Sequence, residues 1–183
     1  MCGRYIVSDE SSQMRTYLQI TNINSGDVYP TNMAPVLMGQ NDSLTPKAVK
    51  WGVNGFKKSS VIINARAETA LEKPFFRNDL VLNRCVVLST GFYEWQNHKQ
   101  KYMFKTDDSD MVYMAGFIKK SGQNDAFVIL TTSANSSMEK YHDRMPVILK
   151  QDECKLWVYD PDFFKKALSR TGPQLKAIKM PAQ

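Results

Sequence analysis

The chain has 183 residues, which suits one domain able to bury about two thirds of its unfolded surface in a single core. Hydrophobic residues make up 43% and aromatics 11%, a globular composition that excludes a disordered or fibrous chain. Lys and Arg number 24 against 18 Asp and Glu, a net charge of +6 with a pI near 9.2, which favours a polyanionic partner through phosphate neutralisation.

Met14, Tyr17 and Leu18 recur at helical spacing behind polar residues able to cap a first turn, predicting a helix over Ser8 to Ile20. Pro30, Pro35 and Pro46, with Asn32, Gly39, Asn41 and Asp42, predict extended segments and turns, and a strand resumes near Val49 to Val53. Val61 to Asn64 is β-branched and apolar, and Ala65 to Lys73 predicts a short helix. Asn64, Arg66 and Glu68 then fall at a strand-to-helix junction, where side chains and free backbone N–H groups are presented. Cys85 to Trp95, Tyr102 to Lys105, Val112 to Lys119 and Ala126 to Thr132 have strand composition, which together predicts a mostly antiparallel, curved sheet. Two short helices, Gln151 to Tyr159 and Asp162 to Leu168, carry an apolar face of Leu156, Trp157, Phe163, Phe164 and Leu168, and the chain after Gly172 is expected to be loosely held. No repeat or linker interrupts residues 1 to 183, so one α+β domain without an obligate protein partner, acting as a monomer, is expected.

No apolar run approaches the ~20 residues of a membrane span. The N-terminus turns polar at Ser8, without the apolar stretch of a secretory leader, so a cytoplasmic protein is expected. Cys2, Cys85 and Cys154 form no Cys-x-x-Cys pair and are expected to stay thiols. With His98 and His142 as the two imidazoles and no ligand spacing, neither a metal nor another cofactor is expected.

Removal of Met1 would leave Cys2 with a free α-amine beside its thiol, a 1,2-aminothiol. An α-amine with pKa near ~7.7–8.0 is partly neutral at physiological pH and can attack an aldehyde, whereas a lysine near ~10.4 is almost wholly protonated. The neighbouring sulfur can close the resulting imine into a thiazolidine. Position 2 could equally just tolerate cysteine. Asn64-Ala65-Arg66-Ala67-Glu68-Thr69 offers an amide to orient an amine and a guanidinium to clamp phosphate, or simply a capped helix start. Gly91-Phe92-Tyr93-Glu94-Trp95 sets one carboxylate among aromatics, where desolvation disfavours the charged form and suits proton transfer; the bland alternative is a salt-bridged strand end. In His142-Asp143-Arg144-Met145-Pro146-Val147, His142 can move a proton and Arg144 can meet phosphate, against a purely structural histidine. His98, in a polar stretch read as a hairpin tip, is assigned no chemistry.

Met1-Cys2-Gly3-Arg4, Asn32 with Ala34-Pro35, Trp51-Gly52 and the three segments just described together resemble the SOS response-associated peptidase (SRAP) family in order and spacing, over residues 1 to about 149. The resemblance implies a curved, barrel-like sheet with flanking short helices, and a basic groove for single-stranded DNA leading to Cys2. It implies that Met1 is removed and that Cys2 forms a thiazolidine with a ring-opened abasic sugar, giving a covalent DNA-protein crosslink that protects the lesion. By the same resemblance Asn64 positions the Cys2 amine, Glu94 shuttles protons and His142 assists opening of the sugar. Arg4, Arg66 and Arg144, with Arg77 and Arg84, would track the DNA backbone, and Trp95 would stack a base or serve in the core. Val53-Asn54-Gly55-Phe56 departs from the family pattern, which continues from Trp-Gly to a proline and another tryptophan, so DNA contacts over 53–60 do not carry over. Lyase cleavage through the imine and autopeptidase removal of Met1 are compatible activities. The alternatives are a thiol peptidase using Cys2, His142 and Asn64, or a single-stranded DNA-binding module without chemistry.

Overall fold

The computed structural model describes residues 2–181 apart from 98 and 108, with the side chain of residue 123 left aside; His98 therefore lies outside the described residues. The chain opens with strand β1 (Tyr5–Val7) and helix α1 (Ser12–Thr21). The Ser11 hydroxyl caps α1 by accepting from the Met14 N–H, and Asn22 ends it in the left-handed conformation that a short polar side chain tolerates. Strand β2 (Gly26–Val28) returns antiparallel to β1. Strands β3 (Met33–Gln40) and β4 (Ser43–Trp51) form a hairpin whose two turn residues, Asn41 and Asp42, both take positive φ, as a tight two-residue turn requires.

After β4 come the small hairpin β5 (Val53–Asn54) and β6 (Val61–Ile62), then strand β7 (Asn64–Arg66), helix α2 (Ala67–Ala70) and helix α3 (Pro74–Leu82). Gly52 enters the hairpin at φ +94°, and a Cβ there would stand 2.6 Å from a methyl of Val61, so the Trp51-Gly52 pair is a steric requirement. Strands β8 (Arg84–Ser89), β9 (Gly91–Gln96), β10 (Gln100–Lys105), β11 (Val112–Lys119) and β12 (Ala126–Ser133) follow, then β13 (Arg144–Pro146) and β14 (Ile148–Leu149). Helices α4 (Glu153–Tyr159) and α5 (Pro161–Ser169) and strand β15 (Lys176–Lys179) complete the chain.

Besides the two-stranded β5–β6 hairpin, two larger sheets are built from these strands. In the larger one, β12 pairs with β4, β4 with β3, β3 with β8, β8 with β11 and β11 again with β12, so the sheet closes on itself as a small barrel without a free edge around that ring. The second sheet runs β15-β10-β9-β1-β2. The architecture is therefore the expected α+β, curved, barrel-like sheet with short helices. Trp51, Leu88, Met114, Phe117, Phe127 and Leu130 on the barrel strands are all fully buried, some facing inward and others under the flanking elements, with the Trp51 and Phe127 rings parallel at 6.3 Å.

Several local differences from the sequence reading have physical causes. The stretch 85–95 is two strands in different sheets: at Thr90 the backbone N–H donates to Ile6 O and the hydroxyl accepts from Ser8 N–H, which turns the chain out of the barrel onto β1. Helix α3 was absent from the sequence reading, and the helix foreseen over 65–73 is a strand end plus four residues of helix. The chain after Gly172 is tied down, because β15 pairs with β10 in full register from Tyr102↔Lys179 to Lys105↔Lys176.

Helices α4 and α5 are held to each other and to the barrel by Arg170, whose guanidinium makes paired hydrogen bonds of 2.6 Å to both carboxylate oxygens of Glu153 and a third to Ile148 O. This pairing with Arg170 holds the Glu153 carboxyl below its ordinary pKa. A depressed folded pKa contributes stability above the unfolded value near ~4.3, and that contribution is lost as pH falls through the folded value. Glu153→Gln is expected to lower Tm near neutral pH and to converge with the parent as the solution is acidified below ~4; thermal melts across pH check this, and a gap that persists in acid would contradict it.

Candidate functional site

Cys2 lies just before β1, fully buried, its thiol 3.9 Å from Arg4 O. Two separate constraints fix this N-terminal segment. The Tyr93 N–H donates to Arg4 O at 2.9 Å, extending the β1–β9 register (Tyr5↔Phe92) and setting Gly3 opposite Glu94. From the barrel side, the Asn64 side-chain amide donates to Cys2 O at 2.9 Å. The Asn64 carbonyl oxygen is buried with no hydrogen-bond donor on it among the described residues.

Glu94, on β9, is 5% exposed. Burial first, and then the nearby Glu94 charge, push the Cys2 thiol well above its ordinary pKa, so the sulfur is held neutral. Beside it stands Tyr5, fully buried, with its hydroxyl unpartnered among the described residues and its ring centroid 5.0 Å from that of Trp51. Burial pushes this phenol far up. Trp51 in turn donates its indole N–H to Ile63 O at 3.1 Å, next to Asn64. The Trp51-Gly52 segment thus supports the residue that grips Cys2.

His142 arrives through β13. Its Nδ1 accepts from the Arg144 N–H at 2.9 Å and also lies 2.7 Å from a carboxylate oxygen of Asp143. These contacts demand opposite states of one nitrogen, because an imidazole nitrogen has a single in-plane site. The backbone bond needs Nδ1 as an acceptor, and the Asp143 side chain beside it is 79% exposed. Among the described residues the ring hydrogen-bonds to neither Cys2 nor Asn64.

A cationic, aromatic strip borders the Cys2 segment. The Arg4 guanidinium lies 4.4 Å from the Tyr29 ring centroid and 5.2 Å from that of Trp95, and Arg4 Nη1 is 4.0 Å from Asp27 Oδ2. Lys101, only 8% exposed, sets its ammonium 3.8 Å from the Tyr93 ring centroid, 5.9 Å from Trp95 and 3.6 Å from the same Asp27 oxygen. The Tyr93 hydroxyl donates to the other oxygen of Asp27 at 3.0 Å, and burial followed by the Asp27 charge pushes that phenol up. Two cations share one carboxylate, leaving the strip net positive. Trp95 is half-buried between them, neither a core residue nor a bare platform.

The arginines divide. Arg66 and Arg77 are exposed. The Arg84 guanidinium donates to Val81 O, Trp157 O and Val158 O and packs 4.6 Å from the Phe164 centroid, so it fastens α3 and α4 to the barrel. Arg144 is also engaged, donating 2.8 and 2.7 Å hydrogen bonds to the two oxygens of Glu68. Sequence reasoning missed Tyr5, Asp27, Tyr29 and Lys101. Nothing in Gln100-Lys101-Tyr102 marks a buried cation, because its burial depends on β10 lying against β9 at Lys101↔Trp95.

The family model for "SOS response associated peptidase (SRAP)" matches residues 1–180 of this chain. The chain belongs to the SRAP family. It is 33% identical over 193 residues to abasic site processing protein YoqW of Bacillus subtilis, covering 92% of this chain and 86% of that protein. It is 24% identical over 179 residues to abasic site processing protein YedK of Escherichia coli, covering 86% of this chain and 79% of that one. Among solved structures, a protein from Bordetella bronchiseptica superposes with a TM-score of 0.78 at 22% identity, over 98% of this chain and 100% of that one, a likeness of fold. In this SRAP chain the segments that carried the sequence resemblance lie just before β1, at the start of β3, at the end of β4 and at β7, β9 and β13, and those at β7 and β9 bear directly on Cys2.

The buried, neutral thiol has a measurable consequence. Iodoacetamide labelling of Cys2, followed by peptide-resolved mass spectrometry, is expected to be much slower in the folded protein than after denaturation. Asn64→Ala should accelerate it by releasing the Cys2 carbonyl. Equal labelling rates in folded parent and Asn64→Ala would contradict this account of the N-terminal segment.

Proposed function

We propose that the chain processes abasic sites in single-stranded DNA by forming a covalent thiazolidine through Cys2 once Met1 has been removed. The observation that carries the reading is the convergence on Cys2 of the Asn64 amide, at 2.9 Å from its carbonyl, and the buried Glu94 charge beside its thiol. The relatives named as abasic site processing proteins support the substrate class.

The order of steps follows from the state of the thiol. The thiol is buried, and the α-amine that removal of Met1 frees is partly neutral at physiological pH and is the opening nucleophile. The amine therefore attacks C1′ of the ring-opened sugar, and loss of one water gives the imine. The Cys2 sulfur then adds to the same carbon while its proton passes to the imine nitrogen, closing a five-membered ring. The buried carboxylate of Glu94 accepts the proton shed by the amine and returns it to the departing hydroxyl as water, then relays the thiol proton to the imine nitrogen during closure. The free carbonyl oxygen of Asn64 is the acceptor that orients the new amine. His142, able to exchange a proton through its other ring nitrogen, assists opening of the sugar. Arg4, Lys101 and Arg66 offer positive charge to the strand and Trp95 offers a ring to an unpaired base, with Arg77 farther out on α3.

The thiol peptidase alternative is disfavoured by the same geometry. A Cys-His hydrolase needs its thiol activated by an imidazole, yet Cys2 neighbours a carboxylate that raises its pKa and makes no hydrogen bond to His142 among the described residues.

Protein lacking Met1, mixed with single-stranded DNA carrying one abasic site, is expected to give a denaturant-resistant adduct. Cys2→Ala retains an amine but no sulfur, so it should yield no stable adduct and instead some strand cleavage by β-elimination from the imine. Equal crosslinking by Cys2→Ala, or none by the parent, would refute the proposal.

A further inference from the structure

Strand β12 has two neighbours at its C-terminal end. β7 runs parallel to it with Arg66↔Thr131, and β13 runs antiparallel with Thr131↔Pro146 and Ser133↔Arg144. The segments bearing Asn64 and His142 thus flank one strand, and their backbones pair with β12 and not with each other. A side-chain contact crosses over β12 between them. Arg144, with a side chain 11% exposed, makes a bidentate pair with Glu68 of α2 at 2.8 and 2.7 Å. The residues under the crossing join it: Arg144 Nη2 donates to Thr131 O, and the Thr132 hydroxyl donates to Glu68 Oε1 at 3.4 Å. Arg144 also holds His142 directly, its backbone N–H donating to the ring Nδ1 at 2.9 Å. One residue therefore grips the imidazole with its main chain and the Asn64-bearing segment with its side chain.

We propose that Glu68 is a positioning residue for the Cys2 chemistry: its ion pair with Arg144 is a clasp over β12 that fixes the His142 ring relative to the Asn64 segment. The catalytic part of this inference rests on the abasic-site reading; the structural part does not. Arg144 accordingly acts within the protein, and its fork is not spare for phosphate.

Crosslinking kinetics and nitrogen NMR of the His142 ring in the free, folded protein test the clasp together. Glu68→Gln and Arg144→Lys should each lower the saturating crosslinking rate about tenfold or more, with the half-saturating DNA concentration little changed. The double variant should be no worse than either single one, and the swap Glu68→Arg with Arg144→Glu should recover part of the rate. The Nδ1 signal of His142 should move in both single variants without DNA. Should Glu68→Gln fail to fold, Thr132→Val, which removes only the hydroxyl on Glu68, carries the ring-nitrogen readout. Parent-like rates and an unmoved His142 signal in Glu68→Gln overturn the clasp. So does weakened DNA binding confined to Arg144→Lys, which would assign Arg144 to phosphate. A parent protein that forms no adduct defeats the abasic-site reading alone, and the His142 signal still decides the clasp.

Discussion

The hydrogen bond from the Asn64 amide to the Cys2 carbonyl joins two parts of the fold that share no ladder. Cys2 leads into β1 of the five-stranded sheet, while Asn64 belongs to β7, which is paired to the barrel through β12. Such a bond contributes only about 1 kcal/mol of net stability. Its importance is positional, since it ties the segment ahead of β1 to the barrel. The tie is backed in depth: Trp51 supports the backbone at Ile63, Gly52 admits the close approach of Val61, and Phe127 stacks beneath the indole. Barrel closure thus reaches the N-terminus through a few residues.

With Cys2 fixed, its surroundings bear on which of its groups would react first in the proposed chemistry. Burial and Glu94 hold the sulfur neutral, so a mechanism that begins with a thiolate works against the site, whereas one that begins with the amine uses it. The same carboxylate that suppresses the thiol is well suited to take the proton from an amine. Beside the Cys2 segment lies the strip of Arg4, Lys101, Tyr29, Tyr93 and Trp95, where Asp27 offsets one of two buried or half-buried cations. The remaining positive charge suits a polyanionic strand and is set close to the reacting end of the chain.

Much of this was legible in the sequence because short segments carry it. Cys2, Asn64 and Glu94 sit in local patterns whose residue types suggest their chemistry, and α1, α4 and α5 have plain apolar faces. What was not legible depends on contacts between distant segments. Lys101 looks like an ordinary strand-start lysine until β10 lies against β9 and Asp27 arrives from β2. Arg84 and Arg144 look like phosphate ligands, yet one is used by carbonyls of α3 and α4 and the other by Glu68. The break at Thr90 is hidden because apolar, strand-forming residues run up to it from Val86 to Leu88 and on from it at Phe92 and Tyr93. Helix α3 is hidden because adjacent Phe75 and Phe76 and the exposed Leu82 blur its periodicity. β15 depends wholly on the far partner β10.

The central claim is that amine and sulfur of Cys2 end on one carbon. An adduct made with DNA labelled with carbon-13 at C1′ of the abasic sugar, trimmed by nuclease and examined by NMR, tests it most directly. A saturated C1′ bonded to both the Cys2 nitrogen and the Cys2 sulfur is the predicted result. An unsaturated imine carbon, or a C1′ joined to sulfur alone in a chain that still carries Met1, would contradict it.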